Sequence, residues 1–375
     1  MTRATINLYH LRHNLNVISA WMKDHGALYT VVSKVLCGHS DILRALGMLG
    51  VTSIGDSRLK NISTVKDAVP DAEIWYLRPP HLSAIEQIVA LSNVSLNSEI
   101  EVIEALSQEA QRQDKVHKTI IMIELGDLRE GILPGSLTKF YERVFHMPNI
   151  EVLGIGANLG CLAGAVPSID QLMQLVLYRE LLELKFKHKI PLISAGSTVV
   201  LPMVLEGLVP KAVNHFRIGE ALFLGTDLIH GGTLRGLRDD VVVVEAEIAE
   251  IKEKNLVPMG ETTAMSPFPS FVNKELTPGQ RGYRAFVNIG QLDTDVSGLT
   301  PFDSEYQIAG ASSDITVVNL GISNSGMAVG DSIKFRVSYA ALLRLMNDKY
   351  IERVVIPDLG QFAEEIAGGK VSTCV

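Results

Sequence analysis

The chain has 375 residues, which is enough for two domains and a large hydrophobic core. Its formal net charge of −8 argues against a nucleic-acid partner, because such a partner requires a basic face. Its three cysteines cannot form a disulfide framework and show no metal-ligand spacing. The first residues lack the apolar stretch of a signal peptide, and no apolar run is long enough to span a membrane. We therefore expect a soluble, cytoplasmic protein without a metal site.

Apolar runs of strand length alternate with helical patterns through the first 232 residues. The strand candidates lie at residues 28–33, 51–55, 73–77, 93–96, 119–124, 151–155, 191–194 and 215–217. Eight strands separated by helices are typical of a (β/α)8 TIM barrel. The competing layout, an open doubly wound sheet, is disfavoured because no Gly-x-Gly-x-x-Gly follows the first strand.

The pattern changes near residue 233. Residues 241–251 alternate and are rich in β-branched side chains, as an antiparallel strand should be. Further strand candidates lie at 284–290, 305–309, 314–320 and 332–338, before a helix at 339–347. The sequence thus predicts a barrel domain over residues 1–232 and a C-terminal antiparallel β domain over residues 233–375. Residues 1–9 include a short strand that could join the β domain, and the proline-rich residues 258–280 predict a long loop.

One lysine is the centre of the candidate chemistry. Lys34 ends the first predicted barrel strand, and (β/α)8 enzymes carry their active sites at the carboxyl ends of the strands. Apolar surroundings would disfavour the ammonium form and make the amine available for a Schiff base. The alternative is a solvated lysine at a strand end.

Glycine and serine after the last two barrel strands suit a phosphate. Ser197 follows the seventh strand and Gly219 the eighth, and each precedes a helix whose first N–H groups can bind an anion. Helix capping by Ser197 and a structural turn at Gly219 explain the same residues equally well.

Two further strand ends carry polar side chains. Arg129 follows the fifth strand, and its guanidinium suits a carboxylate. A surface ion pair of Arg129 with Glu130 or Asp127 is the alternative. Asn158 ends the sixth strand and could face a cofactor ring, although a turn-stabilising asparagine fits the same spacing.

The order of these residues resembles that of fold-type III pyridoxal-phosphate enzymes, the alanine racemase superfamily. The resemblance rests on a lysine after the first strand, an arginine after the fifth, a serine after the seventh and Arg-x-Gly after the eighth. Residues 6–15 and 214–221 also resemble segments of that superfamily. Within it, the chain is most similar to ornithine racemases, in residues 55–61, 95–99, 125–131 and 310–314.

The resemblance implies pyridoxal 5'-phosphate as cofactor. Lys34 would form the Schiff base and act as a base at Cα. Arg217 would face the pyridine nitrogen, where its permanent charge disfavours protonation and makes the ring a weaker electron sink. The cofactor-binding residues implied in this way are Lys34, Asn158, Ser197, Arg217, Gly219, Glu220 and Tyr350.

The resemblance also implies substrate-binding residues and a homodimer. Arg129, Ser313 and Asp314 would contact the substrate. Racemisation requires groups on both faces of Cα, and alanine racemases take the second group, a tyrosine, from the partner subunit. Here Gln291 stands at that position, and glutamine exchanges no proton near neutral pH. The second base therefore stays open among Asp293, Tyr283, Tyr306, Cys37 and His39, and Asp293 could instead bind the substrate ammonium.

The expected function is thus a pyridoxal-phosphate-dependent amino-acid racemase acting on ornithine or a similar basic amino acid. Recognition of a side-chain ammonium needs carboxylates, and the β domain offers Asp293, Asp295, Asp303, Glu305 and Asp314. The alternatives are alanine racemase, a decarboxylase or D-threonine-aldolase-like enzyme of the same fold, and a non-catalytic cofactor carrier.

Overall fold

The computed structural model describes residues 2–160, 162, 164–258, 260 and 277–369. The chain divides into two compact units. The β unit comprises Met1–His10 and Asp239–Asp358, and the barrel unit comprises Leu11–Arg238 and Leu359–Val375. The predicted boundary after residue 232 lies shortly before this division, and most of the predicted loop at 258–280 lies outside the described residues.

The first elements are β1 (Arg3–Asn7) and α1 (Leu8–His25), and the division between the two units falls inside α1. Leu11, Leu15, Ile18 and Met22 of α1 are at most 1% exposed. They recur every three or four residues and so line one face of the helix, which explains why this segment folds as a helix with one buried side.

The barrel unit contains a closed barrel of eight parallel strands, as predicted. The strands are β2 (Leu28–Val32), β3 (Ser53–Asp56), β4 (Glu73–Tyr76), β5 (Val94–Asn97), β6 (His117–Met122), β7 (Ile150–Ala157), β8 (Leu192–Ala195) and β9 (His215–Ile218). Strand β9 closes the barrel by pairing in parallel with β2, from Leu28 opposite His215 to Val31 opposite Ile218. All eight strands coincide with the predicted candidates to within a few residues.

Helices connect the barrel strands. They are α2 (Ser40–Met48), α3 (Leu59–Ala68), α4 (Ile85–Leu91), α5 (Ile100–Arg112), α6 (Leu137–Val144), α7 (Ile169–Phe186), α8 (Leu201–Leu205) and α9 (Glu220–Leu224). Two short 3-10 turns, Lys34–Leu36 and Thr198–Val200, follow β2 and β8. Helix α7 begins with a capping box, in which Ser168 and Gln171 each accept a hydrogen bond from the other's backbone N–H.

The barrel interior combines an apolar core with a stacked aromatic pair. Trp75 packs with buried Val94, Leu96, Ile120 and Met122. Its ring stacks on the imidazole of His215 with centroids 4.5 Å apart and planes 6° apart. Because β4 and β9 are not neighbours in the barrel, this contact crosses the interior.

The β unit is built on an eight-stranded sheet. Its further elements are β10 (Val242–Asn255), β11 (Arg281–Val287), β12 (Leu299–Pro301), β13 (Gln307–Ala311), β14 (Thr316–Gly321), β15 (Ser332–Val337), α10 (Tyr339–Asn347) and β16 (Glu352–Ile356). The order β12-β15-β10-β11-β14-β13 is antiparallel throughout, which confirms the predicted β domain. Strand β1 pairs antiparallel with β10 and parallel with β16.

The last helix, α11 (Leu359–Ala367), belongs to the barrel unit. The predicted β domain extended to residue 375 and therefore included it. The difference has a simple cause, because α11 is amphipathic, buries Phe362 completely and packs near α2. The pattern of Leu359–Ala367 indicates a buried face and does not reveal which unit buries it.

Candidate active site

Lys34 lies at the carboxyl end of β2 and opens the 3-10 turn Lys34–Leu36. Its neighbours Ser33 and Val35 are buried, whereas Lys34 itself is exposed. The apolar surroundings expected for this lysine are therefore not found within the chain. The reason is local: Lys34 lies beyond the last strand residue, where the chain turns through left-handed Cys37 (φ 49°) and Gly38 (φ 76°).

A buried carboxylate anchors the residue before Lys34. Ser33 Oγ donates to Asp56 Oδ2 (3.0 Å), and Asp56 Oδ1 accepts from the N–H groups of Ser57 (2.7 Å) and Arg58 (3.0 Å) and from Asn61 Nδ2 (3.1 Å). Burial raises the pKa of the Asp56 carboxyl, and these donors offset part of that rise. The tip of β3 thus holds the backbone that carries Lys34.

Replacing Asp56 should test this anchor. Asp56→Ala leaves four donors without their acceptor, so we expect the unfolding free energy of the barrel to fall by about 3 kcal/mol. Asp56→Asn keeps the Oδ1 acceptor and should cost about 1 kcal/mol or less. Urea unfolding of both variants measures the difference, and equal stability of the two variants would show that the hydrogen bonds are unimportant.

Arg217, on β9, is 5% exposed and fully engaged. Its Nη1 donates to the carbonyl of Ser194 (2.7 Å) and to Ser194 Oγ (2.6 Å). Its Nη2 donates to the carbonyl of Ala157 (2.8 Å) and to Asn158 Oδ1 (2.7 Å). The guanidinium is thus fixed across the ends of β7, β8 and β9.

The same network reaches the loop after β6. Asn158 Nδ2 donates to Glu130 Oε1, and Glu130 Oε2 forms an ion pair with Arg129 Nε at 3.0 Å. Three predicted site residues therefore belong to one chain of contacts. Arg217 donates to Asn158, Asn158 donates to Glu130, and Glu130 forms the ion pair with Arg129. The ion pair that the sequence offered as the alternative for Arg129 is present. Glu130 had appeared only as a possible partner in that pair, and its link to Asn158 was missed.

His215 shares the inward face of β9 with Arg217. Ser194 Oγ accepts from Arg217 Nη1 and lies 2.8 Å from His215 Nδ1. His215 Nε2 lies 3.0 Å from Thr30 Oγ1, so both ring nitrogens are hydrogen-bonded. Burial, with a smaller contribution from the Arg217 charge, lowers the pKa of His215 to about 3. The imidazole is therefore uncharged at neutral pH, so that it adds no second positive charge beside Arg217.

The turns after β8 and β9 are packed closely together. Buried Thr198 accepts at Oγ1 from the N–H of Ala221 (2.9 Å), at the start of α9. A Cβ on Gly219 would lie 2.9 Å from the carbonyl oxygen of Val32, so only glycine fits there. Ser197 precedes the 3-10 turn, and its side chain makes no capping hydrogen bond. Thr198 is a second hydroxyl beside Gly219 that the sequence analysis missed.

Glu220 connects these turns to Lys34 electrostatically. Its side chain is half-buried, and burial raises the pKa of its carboxyl. A hydrogen bond from Thr226 and the positive charge of Lys34 act in the opposite direction. Lys34 therefore shares one end of the barrel with Gly219 and Glu220, which lie far from it in sequence.

Within the β unit, two predicted segments meet. The N–H of Gln291 donates to the carbonyl of Ser312 (3.0 Å), and that of Leu292 donates to the carbonyl of Ser313 (2.9 Å). A Cβ on Gly290 would lie 2.2 Å from the oxygen of Ser313, so this approach requires glycine. The hydroxyl of Ser313 also donates to the carboxylate of the exposed Asp314.

Asp293 belongs to this cluster. Its Oδ2 accepts from the N–H of Gly290 at 2.8 Å. Burial raises the pKa of the Asp293 carboxyl, and the charges of Asp348 and Asp314 raise it further. Three carboxylates of the β unit therefore lie within electrostatic reach of one another.

Tyr350 is 75% exposed and lies in the β unit, with the Lys349 ammonium 4.9 Å from its ring centroid. Its predicted contact with a cofactor phosphate stays a prediction. Of the other residues considered as second base, Tyr283 lies on β11 and Tyr306 lies just before β13, whereas Cys37 and His39 follow the Lys34 turn.

In the described ranges, no three histidine, cysteine or acidic side chains are grouped to hold a metal ion. The helices in the same ranges include none with the length and apolar character needed to cross a membrane.

Comparison with known proteins identifies the class to which this fold and site belong. Residues 6–227 match the family model described as alanine racemase, N-terminal domain. The chain belongs to the alanine racemase family.

Two characterised relatives match almost the whole chain. An ornithine racemase of Acetoanaerobium sticklandii is 34% identical over 357 residues, which cover 94% of this chain and 99% of that protein. A lysine racemase of Thermotoga maritima is 30% identical over 363 residues, which cover 95% and 99%.

Solved structures share the fold at lower identity. Alanine racemase from Streptomyces coelicolor superposes with a TM-score of 0.71 at 18% identity, covering 95% of this chain and 98% of that one. Alanine racemase from Bartonella henselae, with covalently bound pyridoxal phosphate, gives 0.70 at 17% identity, covering 95% and 99%.

Proposed function

We propose that this protein is a pyridoxal-phosphate-dependent racemase of basic amino acids, with ornithine or lysine as substrate. The observation that carries the proposal is full-length similarity to an ornithine racemase and a lysine racemase. The exposed lysine at the tip of β2 and the fixed arginine on β9 support it, because they supply the chemical groups that this reaction needs.

The residues at the carboxyl end of the barrel fit pyridoxal phosphate. Exposed Lys34 is accessible for covalent attachment, and the turn at Gly219 and Glu220, which opens α9, lies at the same end of the barrel, where it would hold the phosphate. When bound, the cofactor supplies an electron sink for the negative charge at Cα. Arg217 keeps a permanent positive charge in a fixed position, because four acceptors hold its two terminal nitrogens. Lys34 would then take up or deliver the proton on one face of Cα.

The second proton donor is proposed to be Asp293. Gln291 cannot exchange a proton near neutral pH, whereas the Asp293 carboxyl can, and burial with two neighbouring carboxylates raises its pKa against the opposing hydrogen bond from Gly290. We further propose that two copies form a twofold homodimer, in which each barrel receives Asp293 from the partner subunit.

The acidic cluster supports a basic substrate over alanine. The charges of Asp314 and Asp348 raise the pKa of Asp293, and a side-chain ammonium among these carboxylates would relieve that repulsion. Alanine carries no such group.

A chiral assay of the twenty amino acids and ornithine, with added pyridoxal phosphate, tests the proposal. Ornithine and lysine should reach equal amounts of both enantiomers from either starting form, about 10²-fold faster than alanine. Asp314→Asn should raise KM for ornithine about tenfold, since the cluster of Asp293, Asp314 and Asp348 then loses one of its carboxylates. Asp303→Asn, an acidic residue outside the cluster, serves as the control. Diamine formation, or glycine released from threonine, would instead identify a decarboxylase or an aldolase.

A further inference from the structure

Helix α7 carries an apolar stripe on its exposed side. The side chains are Ile169, Met173, Leu177, Leu181 and Leu184, with exposed fractions of 43%, 40%, 60%, 48% and 69%. At 3.6 residues per turn, they fill a sector about 120° wide. The opposite side of α7 is also apolar, because Leu172, Leu175 and Leu182 are completely buried in the barrel unit. A helix that is apolar on both sides is normally buried on both sides.

The stripe is as large as the largest apolar patch of a typical monomer, and patches of that size are often functional. Five aliphatic side chains at these exposures form a continuous patch of roughly 500 Å², a size that marks an interaction site. The patch is smaller than the roughly 800 Å² that each partner buries in a standard stable interface. It therefore suits a secondary contact between subunits that already associate elsewhere.

The spacing of the stripe identifies its partner. The stripe is nearly symmetric about Leu177, since Met173 and Leu181 lie four residues to either side and Ile169 and Leu184 lie at the two ends. Two copies of α7 packed antiparallel, with a twofold axis at Leu177, would place Met173 against Leu181 of the partner subunit. A surface with this symmetry is complementary to itself.

The charges at the two ends of α7 agree with the antiparallel arrangement. Asp170 lies in the first turn and Lys185 in the last turn. The same twofold axis brings Asp170 of one copy beside Lys185 of the partner subunit, so that opposite charges meet at both ends. A parallel pair would place like charges together instead.

We propose that α7 is a self-association surface, and that its occupant is α7 of a second copy of this chain. In combination with the shared-site dimer proposed above, the expected assembly is a tetramer of D2 symmetry, in which the α7 axis crosses the dimer axis at a right angle and both pairs of α7 helices are in contact. The surface does not depend on the racemase assignment, because it involves no residue of the candidate active site.

A charge exchange at the twofold axis tests the proposal. Leu177→Glu and Leu177→Arg each place two like charges opposite each other, so sedimentation should show half the wild-type mass at the same concentration. Mixing equal amounts of the two variants should restore the wild-type mass, because each glutamate then faces an arginine. Leu177 is exposed, so both variants should keep the wild-type circular dichroism.

Val116→Glu is the matched control. Val116 is 62% exposed, close to the 60% of Leu177, and belongs to the connection between α5 and β6. This variant should keep the wild-type mass. If both Leu177 variants keep the wild-type mass, the proposal is wrong. If they dissociate but do not recombine on mixing, Leu177 does not face its own copy and the proposed occupant is wrong. Neither result bears on racemase activity, which is assayed separately.

Discussion

Lys34→Ala is expected to lower racemisation by about 10³-fold or more, because no other group would form the covalent link and move the proton at Cα. The barrel should remain folded, since the side chain of Lys34 is exposed and Ser33 still donates to Asp56. Borohydride reduction followed by mass spectrometry measures the attachment. The wild-type chain should carry reduced pyridoxal phosphate on Lys34, and the variant should carry none. Covalent cofactor on the variant would contradict the assignment.

A mixing experiment extends this result to the proposed dimer. Chains with Lys34→Ala and chains with Asp293→Ala should each be inactive. In a shared-site dimer, a mixed pair places both defects in one site and leaves the other site intact. After unfolding and refolding together, random pairing should recover about a quarter of wild-type activity. A mixture that stays inactive would mean that each site is formed within one subunit.

Arg217→Glu is expected to lower the unfolding free energy of the barrel and to introduce transamination as a side reaction. The new carboxylate would face the carbonyl oxygens of Ala157 and Ser194, which now accept from the guanidinium. Like partial charges in a buried position should lower the unfolding free energy by about 3–5 kcal/mol. A carboxylate would also favour protonation of a pyridine nitrogen beside it, so transamination should appear while racemisation slows.

Two measurements separate these effects. Urea unfolding gives the stability loss, and the formation of pyridoxamine phosphate gives the side reaction. Arg217→Lys is the control, because it keeps the positive charge and can still donate to one or two of the carbonyls. It should suppress transamination while losing part of the stability. An Arg217→Glu variant with wild-type stability and no side reaction would show that Arg217 contributes to neither.

The barrel strands and the position of Lys34 were predictable because apolar residues recur along the sequence with the periods of strands and helices. Eight apolar runs separated by helical patterns gave the strand order, and Lys34 lies directly after the first run. The pairing of His215 with Arg217 on one face also follows from the two-residue period of a strand, and the sequence analysis could have used it. The apolar core around Trp75 has the same origin.

The links between loops were not predictable. Asp56 reaches Ser33, and Glu130 reaches Asn158, only because parallel strands end side by side in a particular register. The sequence pattern predicts the order of the strands, but it does not predict their register or the side chains that this register brings together. Thr198 was missed for a related reason. Ser197 and Thr198 are adjacent in sequence, and the backbone conformation decides which hydroxyl accepts the hydrogen bond from the N–H of Ala221 in α9. Likewise, α11 shows its apolar face but not the unit that covers it.

The position of β1 has a consequence for protein synthesis. Strand β1 lies between β10 and β16, so it pairs with two strands that are synthesised much later. At about 5–20 residues per second, β16 follows β1 by tens of seconds. The barrel strands are complete before β10 emerges, whereas β1 has two open hydrogen-bonding edges until β10 emerges and one open edge until β16 emerges. Newly made chains should therefore be vulnerable to strand-mediated aggregation and proteolysis at β1, until β10 and β16 have emerged.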